Sequence, residues 1–481
     1  MGQSVLLVLT SLLVACGPGQ AEVVDGGPVD ATEATATTGT APETGTTETG
    51  LAGDRPLNVL LIFTDDQGVD KVSSYDDHPS PPPTPVIDAL AARGVSFDRA
   101  YAYPSCSPSR GALLTGKLAH RTGLGEVIQY ADDEELPPDT YSLPRMLDAS
   151  PWIWETAAYG KWHIASFASH TNLEHPLLLG FGDFAGSMSN LQDKWLEPDV
   201  RHTYTFWDKV EDGDVHVETT YATTDTVDDA LEALDRLQEP WLLYVPFNAP
   251  HTPLHEPPED LADPVDPITS PNVYDAAVQA LDTELGRLLA AIDEEDTLVI
   301  FASDNGTSSW GAQPPVRPDR VKLTPYEGGI RVPMIVAGPG VAKGVRTDAM
   351  VHVVDILPTV AEVAQVDLAA TGEVFDGESL WPYLRDPTHP GREILHGDRF
   401  APNGVGGSGL NLDWWISHGP RFKVVSYGGG NSYAMVDLLA DPNEDAPYTS
   451  IEDVPKADRK EVQELIDAQR AFFEGIQIPS W

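Results

Sequence analysis

Cys106 sits in the run Pro104-Ser105-Cys106-Ser107-Pro108-Ser109-Arg110-Gly111. Ser107 followed by Pro108 reads as the cap and first residue of a helix, which puts position 106 at a helix N-terminus. Backbone N–H groups and the helix dipole favour an anion there, and Arg110, one turn on, can reach back to the same spot. Elsewhere Asp65-Asp66 and Asp304-Asn305 each end an apolar run. Either pair alone is an ordinary solvated turn. Converging at one place, three carboxylates and an amide oxygen would repel one another unless a hard cation joined them. Oxygen donors of this kind suit Ca²⁺ or Mg²⁺ and argue against Zn²⁺. Lys161 and His163, two residues apart on extended backbone, face the same way and could share one anionic ligand. His251 lies in a rigid loop flanked by Pro250 and Pro253, a common setting for functional side chains.

These residues need a frame. Four continuous apolar runs, Asn58–Thr64, 241–247, Thr297–Ser303 and 332–337, have the length and composition of fully buried parallel strands. Alternating with helical segments, they predict an α/β sheet covered on both faces. Ligands of such sheets bind beyond the carboxyl ends of the strands. The first run leads into Asp65, the second into His251 and the third into Asp304. Leu281, Leu285, Leu288 and Ile292 recur at helical spacing and predict a covering helix over 273–292. Short strand-like runs at 414–417, 422–427 and 433–439 precede a final helix with Val462, Leu465, Phe472 and Ile476 on one face.

The chain has 481 residues, enough for a large domain and a smaller one, and its 41% apolar and 8% aromatic content is that of a soluble globular protein. Its 75 acidic against 29 basic residues give a net charge of -46. That excludes nucleic acid and anionic membranes as partners, and any anionic ligand must be drawn by local cations. The apolar stretch ending in Leu13-Val14-Ala15-Cys16 is too short to span a bilayer. Despite lacking an early Lys or Arg, it reads as a lipoprotein signal, cleaved before Cys16 and followed by acylation of that thiol. A Cys16–Cys106 bridge would only tie a loose segment to the large domain. Residues 17–54, rich in Thr, Gly, Ala, Glu and Asp, cannot bury enough apolar surface to fold. The expected layout is a signal over 1–15, a lipid-anchored linker over 16–54 and folded chain from about Pro56. It would be held at a bacterial cell envelope and would touch the membrane only through its anchor.

Taken together, the motifs resemble the formylglycine-dependent, arylsulfatase-like sulfatases of the alkaline phosphatase-type superfamily. The run from Cys106 through Thr115-Gly116 is similar to the first family signature, and Gly160-Lys161-Trp162-His163 to the second. Pro250-His251-Thr252-Pro253, Lys322 with Glu327-Gly328-Gly329-Ile330-Arg331-Val332-Pro333, Thr84-Pro85-Val86-Ile87-Asp88 upstream and Asp355-Ile356-Leu357-Pro358-Thr359 downstream complete the likeness, which covers 58–445. The resemblance implies a large domain over 55–385, with a central mostly parallel sheet flanked by helices. A smaller C-terminal α+β domain with a short antiparallel sheet would span 386–481.

It further implies that a maturation enzyme, a transient partner acting before folding, oxidises Cys106 to formylglycine. Asp65, Asp66, residue 106, Asp304 and Asn305 would hold Ca²⁺, with Mg²⁺ as the alternative. One hydroxyl of the formylglycine hydrate, deprotonated with help from Asp304, would attack sulfur. Arg110, Lys161 and Lys322 would hold the sulfuryl oxygens, and His251 with Lys322 would protonate the leaving alcohol. His163 would take the proton whose loss releases sulfate, and Ser187 is a further polar candidate. Arg331 is expected to be structural. The substrate would be a sulfated small molecule or saccharide, in a pocket built from loops 165–199, 314–320 and 400–413. Two other readings compete. A phosphate or phosphonate ester hydrolase of the same fold is disfavoured by Cys106, since related phosphatases generally use Ser or Thr. A surface lipoprotein binding sulfated glycans without turnover would show damaged motifs, and these are intact.

Overall fold

The computed structural model describes residues 55–197, 199–404 and 411–480. Cys16, the expected signal and the expected linker lie outside the described residues. Ten strands make one sheet: β1 Asn58–Thr64, β2 Gly94–Tyr101, β3 Glu155–Lys161, β4 Asp183–Ser187, β5 Trp207–Glu211, β6 Asp214–Glu218, β7 Trp241–Pro246, β8 Thr297–Ser303, β9 Met334–Ala337 and β10 Val345–His352. Their order is β10-β2-β9-β8-β1-β7-β3-β4-β5-β6. The stretch β8-β1-β7-β3-β4 is wholly parallel. A second, antiparallel sheet contains β11 Leu395–Ala401, β12 Asn411–His418, β13 Phe422–Tyr427 and β14 Ser432–Asp437 in that order.

β1 shows why its sequence is apolar without interruption. Successive side chains point to opposite faces of a sheet. Val59, Leu61 and Phe63 enter one core, and Leu60 and Ile62 enter another. The first core also takes Leu113 and Leu114 from the helix Cys106–Thr115. Leu281, Leu285 and Leu288 of the helix Ser270–Leu289 fill the second. The helix that carries Cys106 thus packs on one face of the sheet, and the covering helix on the other. Parallel register then aligns the carboxyl ends: Thr64 pairs with Ser303, and Phe63 with Pro246.

Several expectations need correction. β9 runs antiparallel to both of its neighbours. The segment leaving β8 stays at the carboxyl edge, where Gly306 N–H bonds the Gly329 carbonyl at 3.0 Å. The chain therefore enters β9 from that edge and must run back. The covering helix starts at Ser270, where the Thr269 hydroxyl caps it by accepting from Asn272 N–H at 3.4 Å, and it ends before Ile292. The last helix is Arg459–Phe473, so Ile476 lies past its end.

His352 ends β10 and caps the next helical turn, its Nδ1 accepting from Val354 N–H at 3.2 Å. Burial and the Arg392 guanidinium push its pKa from 6.5 down to about 3. A depressed histidine contributes full stability above its unfolded pKa, and loses it as pH falls from 6.5 towards 3. Protonation of the unfolded chain at pH 5 costs about 2 kcal/mol. His352→Asn keeps an acceptor but does not titrate. Urea unfolding at pH 7 and pH 5 should show the wild type losing about 2 kcal/mol more than this variant; equal losses would show that His352 does not control this acid sensitivity.

Candidate active site

Asp65 and Asp66 leave β1, and Asp304 and Asn305 leave the neighbouring β8, so the two acidic turns lie side by side. The turns are laced together. Asp304 N–H bonds the Thr64 carbonyl at 3.0 Å, Asp66 N–H bonds Asp304 Oδ1 at 3.0 Å, and Asn305 Nδ2 donates to Asp66 Oδ1 at 2.8 Å. Gly306 lets the segment that leads into β9 lie against the second turn, because a Cβ there would collide with the Gly328 carbonyl oxygen. Asp66 itself takes a left-handed φ of 71°, a strained choice for a residue other than glycine.

The helix carrying residue 106 begins at Cys106, with Ser105 as its cap, two residues earlier than expected. Pro108 is accommodated because the first turn has no intrahelical N–H partner to lose. Ser107 Oγ accepts from Ile128 N–H at 3.0 Å, which fixes the following loop to the helix start. The Cys106 thiol lies 3.4 Å from Asp65 Oδ1 and is 1% exposed. Burial and the neighbouring Asp65 push its pKa well up, which disfavours the thiolate that a cysteine nucleophile requires.

Two lysines converge on it. Lys161, at the end of β3, reaches Sγ at 3.6 Å, Asn190 Oδ1 at 2.8 Å and the Asp65 carboxylate. Lys322 reaches Sγ at 3.4 Å and Asp66 Oδ1 at 2.5 Å. Despite burial, Asp66 and Asp65 hold the Lys322 ammonium charged. Arg110 gives Nε and Nη2 to Asp304 Oδ2 at 3.2 and 2.8 Å and Nη1 to the Lys161 carbonyl at 2.7 Å. It therefore anchors a carboxylate and the lysine strand. Burial and Asp65 raise the Asp304 carboxyl to about 7, against the pull of Arg110.

Both histidines have an assignable tautomer, because a carbonyl can only accept. His163 Nε2 donates to the Ile128 carbonyl at 3.1 Å, leaving Nδ1 buried with no hydrogen-bond partner among the described residues. Burial and Lys161 hold this imidazole neutral. Its φ of 58° corrects the expectation of extended backbone; a left-handed residue after β3 turns the ring into the site. His251 Nδ1 donates to the Thr252 carbonyl at 2.8 Å, which directs Nε2 towards Asp66 Oδ2 at 3.8 Å. Burial lowers its pKa to about 4.

Cation fit can be judged from the donors. Ligand atoms of Asp65, Asp66, Cys106 and His251 all lie within 4.8 Å of one another. Asn305 Oδ1, buried at the same edge, has no hydrogen-bond partner among the described residues. Carboxylates with a free amide oxygen are the donor set of a hard divalent cation. Asp304, the further expected ligand, meets Arg110 and Asp66 N–H at the same edge, as Asp65 meets Lys161 and Asp66 meets Lys322. Ser187 Oγ donates to Asn248 Oδ1 at 3.0 Å, on β4 directly opposite Lys161. Arg331 bonds the Asp98 carbonyl and Asp77, as a structural residue should.

A family model described as sulfatase matches residues 57–366. The chain belongs to the sulfatase family. The N-acetylgalactosamine-6-sulfatase of Canis lupus familiaris is 30% identical over 407 residues, 78% of this chain and 75% of its own. An ulvan-active sulfatase of Formosa agariphila is 29% identical, over 69% of this chain and 65% of its own. The solved structure of Ps i-CgsB in complex with k-i-k-neocarrahexaose aligns with a TM-score of 0.74 at 26% identity, covering 89% of this sulfatase and 95% of that chain.

Sequence reasoning missed Asn190, which holds Lys161, and Tyr274. The Tyr274 hydroxyl, from the covering helix, donates to the Asp66 carbonyl and accepts from Ser308 N–H at 3.5 Å, bridging the two acidic turns. Tyr274→Phe should cost about 1 kcal/mol of stability in urea unfolding. Unchanged stability would show that the hydroxyl does not tie the two turns together.

Proposed function

We propose that this sulfatase hydrolyses a sulfate ester carried on a saccharide, with residue 106 matured to formylglycine and one Ca²⁺ bound beside it. The observation that carries the reading is the convergence of Lys161 and Lys322 on the atom at position 106, with the unpartnered His163 nitrogen buried nearby. The saccharide follows from the names of the relatives, which act on N-acetylgalactosamine sulfate and ulvan, and from the neocarrahexaose complex. Acylation of Cys16 would hold the enzyme at a cell envelope.

The Cys106 Sγ stands in for a hydroxyl oxygen of the formylglycine hydrate. Oxidised to the aldehyde by the maturation enzyme and hydrated by water, residue 106 offers two hydroxyls on one carbon: one attacks sulfur as Asp304 helps to take its proton, and proton loss from the other frees sulfate and restores the aldehyde. A divalent cation held by Asp65, Asp66 and Asn305 would lower the charge cost of both anions when bound. Lys161 and Lys322 present fixed positive charge to the sulfuryl oxygens as charge shifts in the transition state. Lys322, charged and beside the entrance, supplies the proton to the leaving alcohol, with His251 Nε2 at the same side. His163 Nδ1, neutral and unpartnered, accepts the proton that sulfate release requires. Arg110 keeps Asp304 and the end of β3 in place.

The test is the enzyme produced with a formylglycine-generating enzyme, followed by mass analysis of the peptide spanning residue 106 and turnover of 4-nitrophenyl sulfate. An aldehyde with turnover is expected; a fully active enzyme with an intact thiol would overturn the reading. His163→Asn should lower kcat about 10²–10⁴-fold while inorganic sulfate still inhibits with a similar Ki.

A further inference from the structure

The machinery is sealed except on one side. The side chains of Asp65, Lys161, Arg110 and Asp304 are 0% exposed, whereas Lys322 is 14% and His251 12% exposed. The alcohol leaving the sulfate must therefore project past Lys322 and His251. The residue beside Lys322 is Leu323, half exposed at 49% and held at φ 70°. It occupies the third position of the turn closed by Thr324 N–H on the Val321 carbonyl at 3.2 Å, where a positive φ ordinarily selects glycine. A branched apolar side chain there is strained and wet at once.

The surroundings impose that conformation. Leu323 N–H donates to the Pro104 carbonyl at 2.8 Å, two residues before Cys106. The Leu323 carbonyl accepts from Arg399 Nη1 at 3.0 Å, from β11 of the second sheet. Lys322 N–H bonds the Thr307 carbonyl at 3.0 Å. The turn is thus pinned to the nucleophile loop, the second sheet and the acidic turn after β8. None of these bonds uses the Leu323 side chain, so the backbone alone would be served as well by glycine. Strain kept at a functional site points to a task for the side chain.

We propose that Leu323 is a specificity-determining residue: its side chain forms an apolar wall at the entrance, against which the ring face of the leaving alcohol packs. The assignment rests on the sulfate-ester reading above. It places the selection in the turn 321–324, outside the loops 165–199, 314–320 and 400–413 expected to build the pocket.

Leu323→Gly suits the local φ and removes the wall; Leu323→Asn also tolerates that φ and keeps bulk while losing apolarity. In the formylglycine-bearing enzyme, both variants should raise KM for 4-nitrophenyl sulfate about tenfold. Tm and the Ki of inorganic sulfate, which has no ring, should stay within about twofold for Ki and about 2 °C for Tm. Unchanged KM in both variants overturns the proposal. So does a Ki for inorganic sulfate rising in step with KM, which would make Leu323 a support for Lys322. A wild type that turns over no sulfate ester removes the underlying reading, and is seen before any variant is compared.

Discussion

Three carboxylates and three cations share a volume closed to solvent. Asp65, Asp66 and Asp304 stand against Lys161, Lys322 and Arg110, and apart from Lys322 none of these side chains exceeds 2% exposure. Charges taken out of water are tolerable only when paired and hydrogen-bonded, and removing one partner leaves the other uncompensated. With all three carboxylates ionised their sum is zero, and their burial makes that pairing a requirement of the site. That requirement explains why so much of the fold is spent holding a few atoms still: two adjacent parallel strands, a helix start, the end of β3 and a strained turn.

The parallel strands make this balance possible to assemble. β1 and β8 are neighbours in register, so the residues following Thr64 and Ser303 emerge together. Antiparallel neighbours would have put the two acidic turns at opposite edges. Phe247 N–H bonds the Phe63 carbonyl at 2.8 Å and Asp65 N–H bonds the Ala249 carbonyl at 3.1 Å, which adds the His251 loop to the same edge. The helix Cys106–Thr115 packs on one face and aims its N-terminus at that edge, where unbonded N–H groups favour anions.

What could be read from sequence follows from this geometry. A strand buried on both faces leaves an uninterrupted apolar run, and β1 and β8 were legible to the residue. Acidic pairs at the ends of such runs were legible for the same reason. The direction of β9 was not, because it depends on where a long irregular segment stays, and no local pattern records that. The left-handed φ of His163 was hidden because no glycine stands at that position to mark it. Tyr274 was read only as part of a covering helix; its hydroxyl meets Asp66 across 208 positions of sequence. Periodicity finds the helix and its buried stripe, while the one polar atom that crosses the core is a property of the packed fold. The strain at Leu323 is of the same kind, visible only once a φ is known.

The chain's net charge of -46 sets the terms on which an anion can reach this site. Exposed charges are screened over about 10 Å at 0.1 M salt, so the acidic surface acts on an approaching sulfate mainly at low ionic strength and mainly by repulsion. Inside, Lys161 is fully buried and Lys322 is 14% exposed, so screening is weaker there and, on the function proposed above, the two lysines would act on a bound sulfate with less attenuation. Repulsion at long range and attraction at short range favour an ester with one sulfate presented to the entrance. A long polysulfated chain would meet the acidic surface along its whole length while offering the lysines only one group. An apolar wall beside Lys322 has the same consequence: it attracts the uncharged ring behind that sulfate by removing both surfaces from water, a force that neither the net charge nor the salt concentration controls.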